Sequence, residues 1–204
     1  MKIVCLDLEG VLVPEIWIKF AEQTGLDVLR LTTRDEPDYS KLMNLRIQTL
    51  KEHKLKLTDV QNVIKTITPL PGALSFLNTL REKTQVIILS DTFTEFALPL
   101  MKQLNMPCIF CNNLITDENG FISDYRIRIE NGKYHAVKAL QSLNFKVFAS
   151  GDSFNDISMI QNADDGCLFQ PPENITKLYP EIRTAYNYNE LMTAIGFEPM
   201  TSCV

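Results

Sequence analysis

Short apolar runs alternate with longer amphipathic stretches along this chain, and that alternation predicts an α/β sheet. Lys2–Leu6, residues 86–89 and residues 146–149 are nearly continuous apolar segments. A strand reads this way when both faces are covered, as in a parallel sheet packed between helices. Apolar positions recur at helical spacing over 15–24, 39–53, 58–65, 73–80, 94–104 and 133–143. The segment from Pro14 to Pro69 holds the first three of these stretches, a polar segment at 32–38, and no comparable strand. It therefore reads as a small helical insertion after the first strand, and Pro69-Leu70-Pro71-Gly72 marks the return to the sheet. The expected division is a core of residues 1–13 and 70–204 with an inserted helical cap of residues 14–69. Residues 113–128 predict a hairpin turning at Asp117-Glu118-Asn119-Gly120. No internal repeat or low-complexity tract is visible.

Chemistry gathers where the apolar runs end. Asp7 leaves the first run at its carboxyl end, where open α/β sheets collect ligands. Glu9 lies on the same side of an extended segment, so the two acids can divide nucleophile and acid/base roles, while Gly10 lets the chain turn away. The 146–149 run empties into Gly151-Asp152-Ser153-Phe154-Asn155-Asp156. Bringing Asp7, Asp152 and Asp156 together is repulsive unless a cation neutralises them, and hard oxygen ligands suit Mg²⁺. The 86–89 run ends in Ser90-Asp91-Thr92, and a hydroxyl beside free N–H groups at a helix entrance can cradle phosphate. Each acidic or hydroxyl-bearing loop also has a plainer reading as a helix N-cap. Lys133 opens a helical stretch leading to the strand that carries Asp152, and its ammonium can reach the same edge. Lys138 on that stretch is its rival.

Taken in order, these segments resemble the haloacid dehalogenase superfamily of aspartate-nucleophile phosphatases. Asp7-Leu8-Glu9-Gly10-Val11 matches the first motif, Ser90 the second, Lys133 the third and Gly151 to Asp156 the fourth. The superfamily's phosphatases usually carry Asp where this chain has Glu9. With Glu9, the run from Asp7 to Trp17 and Ser90-Asp91-Thr92-Phe93 look like the subgroup of phosphoserine phosphatases that includes phosphoserine:homoserine phosphotransferases. The similarity extends from Met1 to about Leu191, and residues 196–204 match nothing interpretable.

That resemblance implies a Rossmann-like core, Mg²⁺ and an aspartyl-phosphate formed on Asp7. It implies metal ligation by the Asp7 side chain, the Glu9 backbone carbonyl and Asp152, supported by Asp156. Glu9 would act as acid and base; Ser90, the Asp91 N–H, Lys133 and Asn155 would hold the transferred group. O-phospho-L-serine is the implied substrate, with water or homoserine as acceptor, in serine or threonine biosynthesis. Glu15 and Arg46 would meet its ammonium and carboxylate, although either alone reads as a surface charge. Met43 reads as cap core, and Trp17 as packing or as an aromatic wall of the pocket. A phosphatase for another small phosphorylated metabolite is the alternative.

Composition narrows the field further. A net charge of −5 and a pI near 5.1 argue against a sequence-independent nucleic-acid binder. The N-terminus lacks a basic region followed by a long apolar run, which predicts no secretion, no membrane span and a cytoplasmic location. Five cysteines, Cys5, Cys108, Cys111, Cys167 and Cys203, mostly in apolar contexts, read as reduced core residues. Cys108 and Cys111 have C-x-x-C spacing, but no second pair completes a zinc site. A phosphoacceptor receiver domain would carry its acidic pair first and its phosphorylated Asp on a later strand. A dinucleotide-binding domain would want G-x-G-x-x-G after the first strand. No feature of the sequence fixes an oligomeric state.

Overall fold

The computed structural model describes residues 1–32, 35–36 and 38–200. Thr33, Arg34 and Pro37 of the polar segment, and Cys203 in the tail, lie outside the described residues. The strands are β1 (Lys2–Leu6), β2 (Gln85–Phe93), β3 (Cys108–Thr116), β4 (Ile122–Arg126), β5 (Lys146–Gly151), β6 (Asp165–Phe169) and β7 (Thr184–Ala185). They form a sheet of seven in the order β4-β3-β2-β1-β5-β6-β7, parallel except where β4 folds back on β3. The helices are α1 (Ile16–Thr24), α2 (Tyr39–Glu52), α3 (Leu57–Ile64), α4 (Ala73–Lys83), α5 (Thr94–Gln103), α6 (Gly132–Ser142), α7 (Ile157–Asn162), α8 (Glu173–Leu178) and α9 (Tyr188–Ile195). The expected α/β sheet with a helical insertion after its first strand is the observed architecture.

β1 lies centrally, paired with β2 on one side and β5 on the other. Its side chains alternate between two apolar layers. Val4 and Leu6 join the layer holding Phe76 and Leu80 of α4 and Phe96 of α5, whereas Ile3 and Cys5 join Val137 of α6 and Ile160 of α7. Burial on both faces is why the strand reads as an unbroken apolar run rather than an alternating one.

The insertion leaves and rejoins the sheet at one place. After β1 the chain closes a tight loop in which the Gly10 N–H donates to the Val13 carbonyl at 2.8 Å. The Leu70 N–H then donates to the Leu12 carbonyl at 2.9 Å, pinning the returning segment to the departing loop. Ile16, Phe20, Met43, Leu50, Val60 and Ile64 from the inserted helices share the apolar layer of Val4 and Leu6. The β3–β4 hairpin also touches the insertion, because the Leu57 N–H donates to the Gly120 carbonyl at 3.0 Å. Met43 is buried, as expected.

Several details differ from expectation. β2 continues past Leu89 to Phe93, and β3 begins at Cys108, five residues before the predicted hairpin. The Asp117 carboxylate forms the turn as anticipated, accepting from the Asn119 and Phe121 N–H groups at 3.0 and 2.9 Å. The cysteines are not uniformly core residues: Cys5 and Cys167 are buried, Cys111 is half-buried and Cys108 is exposed, and all four are free. C-x-x-C spacing on a strand sends the two thiols to opposite faces, so it is a poor chelating geometry there. Beyond α9, the chain returns to the sheet, with Phe197 and Met200 packed against the main apolar layer. Among the described residues no helix is long and apolar enough to cross a membrane.

Asp164 fastens the start of β5. Its carboxylate accepts from the Val147 N–H at 3.0 Å, Lys146 Nζ at 3.0 Å and Gln141 Nε2 at 3.1 Å. These bonds, the Val147 N–H foremost, lower its pKa to about 2. A lowered carboxyl pKa contributes stability above the unfolded value near 4, lost as pH falls through about 2. Asp164→Asn should therefore cost about 1 kcal/mol at pH 7, and in urea titrations the difference from wild type should shrink as pH falls from about 4 and be gone below about 2.

Candidate active site

The carboxyl ends of the central strands bring Asp7, Asp152 and Asp156 together, with one carboxylate oxygen from each within 4.8 Å of the others. Asp7 follows β1 and is held there by its N–H, which donates to the Ser150 carbonyl of β5 at 2.9 Å. One Asp7 oxygen accepts from the Leu8 N–H at 2.7 Å. Asp156 is fully buried and oriented by the loop after β5. Its Oδ2 accepts from the Asp152 and Ser153 N–H groups at 3.1 and 3.0 Å. The capping reading of this loop is thus correct for Asp156 Oδ2, while Oδ1 turns inward to the site.

Lys133 completes the cluster. It sits in the first turn of α6, 4% exposed, with Nζ 2.6 Å from Asp156 Oδ1 and 3.0 Å from Asp7 Oδ1. Lys138, its rival in the sequence, is exposed. Burial opposes the Lys133 charge, but Asp156 and Asp7 outweigh it and hold the pKa well above the usual lysine value. The acids remain undercompensated. Asp7 is held well above the ordinary carboxylate range by burial and then by Asp156, and Asp152 is pushed up to about 7 by the same two causes. Three carboxyls facing one ammonium form an all-oxygen set with surplus negative charge, which suits a hard divalent cation.

Two glycines let these acids approach the backbone. A Cβ on Gly10 would lie 2.3 Å from the Asp152 carboxyl carbon, and Gly10 also has φ +73°. A Cβ on Gly151 would lie 2.1 Å from the carboxyl carbon of Asp156. Gly10→Ala should therefore displace Asp152, with a loss of roughly 2–4 kcal/mol in urea unfolding from strain and overpacking. An unchanged unfolding midpoint would show that the loop rearranges freely.

The residues expected to cradle phosphate are arranged differently from expectation. Ser90 is buried at this edge, but α5 starts at Thr94, so Ser90 is not at a helix entrance. It stands in a bulge of β2, where its hydroxyl accepts from the Thr92 N–H at 3.3 Å. The next residue, Asp91, places Oδ2 3.8 Å from Lys133 Nζ and 2.7 Å from the Asn155 Nδ2 that donates to it. Ser90, Asp91, Lys133 and Asn155 thus border the acid cluster together.

Glu9 turns away from that cluster toward the inserted helices. Its Oε2 accepts from the Ile16 N–H at 2.8 Å, at the start of α1. Burial, then the Glu15 carboxylate beside it, pushes the Glu9 carboxyl up to about 8. Arg46 of α2 adds a buried guanidinium to the same group, 4.6 Å from the Trp17 ring centroid and donating to the Leu31 carbonyl at 2.9 Å. Burial lowers its pKa to about 10, opposed by Tyr39, Glu9 and Glu15. The Arg46 Nε has no hydrogen-bond partner among the described residues. Trp17 packs edge-on to Phe20 and Phe96, as expected, and carries Arg46 on its ring. Sequence reasoning placed Gly151 in the fourth motif without assigning it a role, and missed Tyr39, whose nearness to Arg46 bears on that guanidinium's charge. Gly151, at the end of a strand and immediately before Asp152, carries a usable signal for close approach; Tyr39 carries none.

The family model for the haloacid dehalogenase-like hydrolases matches residues 1–164. The chain belongs to that family. Two curated relatives lie within reach of this hydrolase by sequence. The phosphoserine phosphatase of Pseudomonas syringae pv. tomato is 51% identical over 191 residues, covering 94% of the chain and 81% of the relative. Phosphoserine phosphatase ThrH of Pseudomonas aeruginosa is 50% identical over 191 residues, covering 94% and 93%. A crystal structure of an apo phosphoserine phosphatase superposes on the hydrolase with TM-score 0.75 at 22% identity, covering 97% of this chain and 98% of the other, a likeness of fold.

Proposed function

We propose that this hydrolase is a Mg²⁺-dependent phosphoserine phosphatase acting through an aspartyl-phosphate, with homoserine as an alternative acceptor to water. The observation that carries the amino-acid assignment is the buried Arg46 with an unpartnered Nε beside Glu15 and Glu9. A buried donor without an acceptor is costly, and a substrate carboxylate would supply one. Half identity to two relatives named phosphoserine phosphatase supports the same reading.

In this reading residues 14–69 form the cap over a core of residues 1–13 and 70–204. Asp7 attacks phosphorus in line, the ester P–O bond breaks, and its electron pair leaves with the serine oxygen. Glu9, neutral at pH 7 with a pKa of about 8, gives its proton to that oxygen. In the second half the Glu9 carboxylate takes a proton from water or from the homoserine hydroxyl, whose oxygen attacks phosphorus and frees Asp7. Ser90, the Asp91 N–H, Lys133 and Asn155 hold the phosphoryl oxygens through both halves. Asp7, Asp152 and the Glu9 backbone carbonyl would hold Mg²⁺, with Asp156 fixing Lys133 and the Asp152 loop. Bound there, the cation would supply positive charge to offset the negative charge of the transferring phosphoryl group. Glu15 meets the substrate ammonium and Arg46 its carboxylate.

The test is phosphate release from L-phosphoserine in Mg²⁺ and in chelator, with phosphohomoserine followed when homoserine is added. Preference for a sugar phosphate would overturn the amino-acid assignment; phosphate release unchanged by homoserine would remove the transfer activity. Arg46→Ala should raise KM for phosphoserine by about 10–150-fold, the worth of a charge-assisted hydrogen bond. Phosphoethanolamine, which lacks the carboxylate, should not suffer that loss.

A further inference from the structure

We infer that Asn112 is a positioning residue that locks the Ser90–Asp91 bulge to the segment delivering Lys133. The inference rests on reading those residues as holders of the phosphoryl group. It starts from a break in the β2–β3 ladder. Leu89 pairs with Phe110, and the next pairing is Phe93 with Asn112, so three residues of β2 face one of β3. Such a bulge turns the extra residues out of the ladder and aims them elsewhere. It also deprives them of strand partners.

Asn112 replaces what the ladder lost. The residue is 6% exposed, and its side chain donates from Nδ2 to the Asp91 carbonyl at 3.0 Å. The same amide accepts through Oδ1 from the Arg128 N–H at 3.0 Å. A side-chain amide has the donor and acceptor of a peptide group, displaced from the backbone by its methylene. Here one end fixes the residue after Ser90, and the other fixes the loop that follows β4 and runs into α6. The backbone carbonyl of Asn112 is engaged as well, accepting from Thr94 Oγ1 at 3.1 Å. The residue thus joins a buried hydroxyl edge to a buried ammonium without touching either.

The geometry limits the replacements. Asp keeps the acceptor for Arg128 but sets an oxygen against the Asp91 carbonyl. Ser adds no charge and is too short to span both partners. Binding of inorganic phosphate, in MgCl₂ and followed by ³¹P NMR, reads the cradle without requiring turnover. Asn112→Asp and Asn112→Ser should each weaken phosphate binding about 10-fold or more. Leu114→Ala, an apolar truncation in the same strand, serves as the control: it should lower the urea midpoint yet leave phosphate binding within twofold.

Turnover separates the two readings. On p-nitrophenyl phosphate and L-phosphoserine, kcat/KM should fall by one common factor, because Asn112 acts on the end the substrates share. Wild-type inactivity toward phosphoserine alone would defeat the substrate assignment and leave the phosphate-binding comparison intact. Unchanged phosphate affinity in both Asn112 variants would overturn the positioning role. So would a loss in Leu114→Ala matching theirs at equal loss of stability. Should Asn112→Asp fail to fold, Asn112→Ser alone decides between these outcomes.

Discussion

Asp7→Asn should abolish phosphoserine turnover, by on the order of 10⁴–10⁶-fold, in a protein that stays folded. The substitution keeps the shape of the side chain and removes the atom that would carry the phosphoryl group. It also removes a charge that the site resists. Burial and then Asp156 raise the Asp7 carboxyl well above its ordinary range, so a neutral amide relieves repulsion while Lys133 keeps Asp156 as its partner at 2.6 Å. The metal-free variant should therefore unfold in urea at or above the wild-type midpoint. MgCl₂ should raise the wild-type midpoint more than the variant's, since ligand binding to the native state shifts stability by mass action. Retained turnover would remove Asp7 from the nucleophile role, and a large loss of stability would contradict the electrostatic account.

Lys133→Met should lower stability by about 3–5 kcal/mol, the range for stripping one partner from a buried ion pair. Met fills much of the same path but leaves Asp7 and Asp156 facing each other without the ammonium now 3.0 and 2.6 Å away. Turnover should be lost with it if, as proposed, Lys133 is the buried cation that holds the phosphoryl oxygens. MgCl₂ should restore part of the stability by neutralising the same acids. Urea titrations with and without MgCl₂ measure both effects, and an unchanged midpoint would show that the ion pair adds nothing.

The acids were legible in the sequence because each follows an apolar run, and the end of a buried parallel strand is a recognisable place. Lys133 was legible only as one of two lysines; burial on one face of α6 separates it from exposed Lys138, and helical phase must be known to within a residue to see that. Ser90 was assigned to the correct edge with the wrong local geometry. The apolar run stops at Leu89, yet pairing resumes at Phe93 across a bulge that no local propensity encodes. β6 was legible only from the apolar, strand-like surroundings of Cys167 and not in its bounds, because Asp165-Gly166-Cys167-Leu168-Phe169 is short and opens on Asp and Gly; β7 escaped notice because Thr184–Ala185 is only two residues long. Asn112 gave no warning at all. Its role depends on partners 21 residues behind and 16 residues ahead, a relation set by tertiary structure.

The place of β1 also governs when the enzyme can come into being during synthesis. β1 is made before both of its neighbours, yet it needs β2 on one flank and β5 on the other, with Lys2 opposite Lys146. Asp7 is held by Ser150, and Asp156 emerges later still. A nascent chain that already carries Asp7 therefore assembles no acid cluster until β5 and Asp156, 149 residues further on, have also been made, and a product cut short between them lacks the cluster.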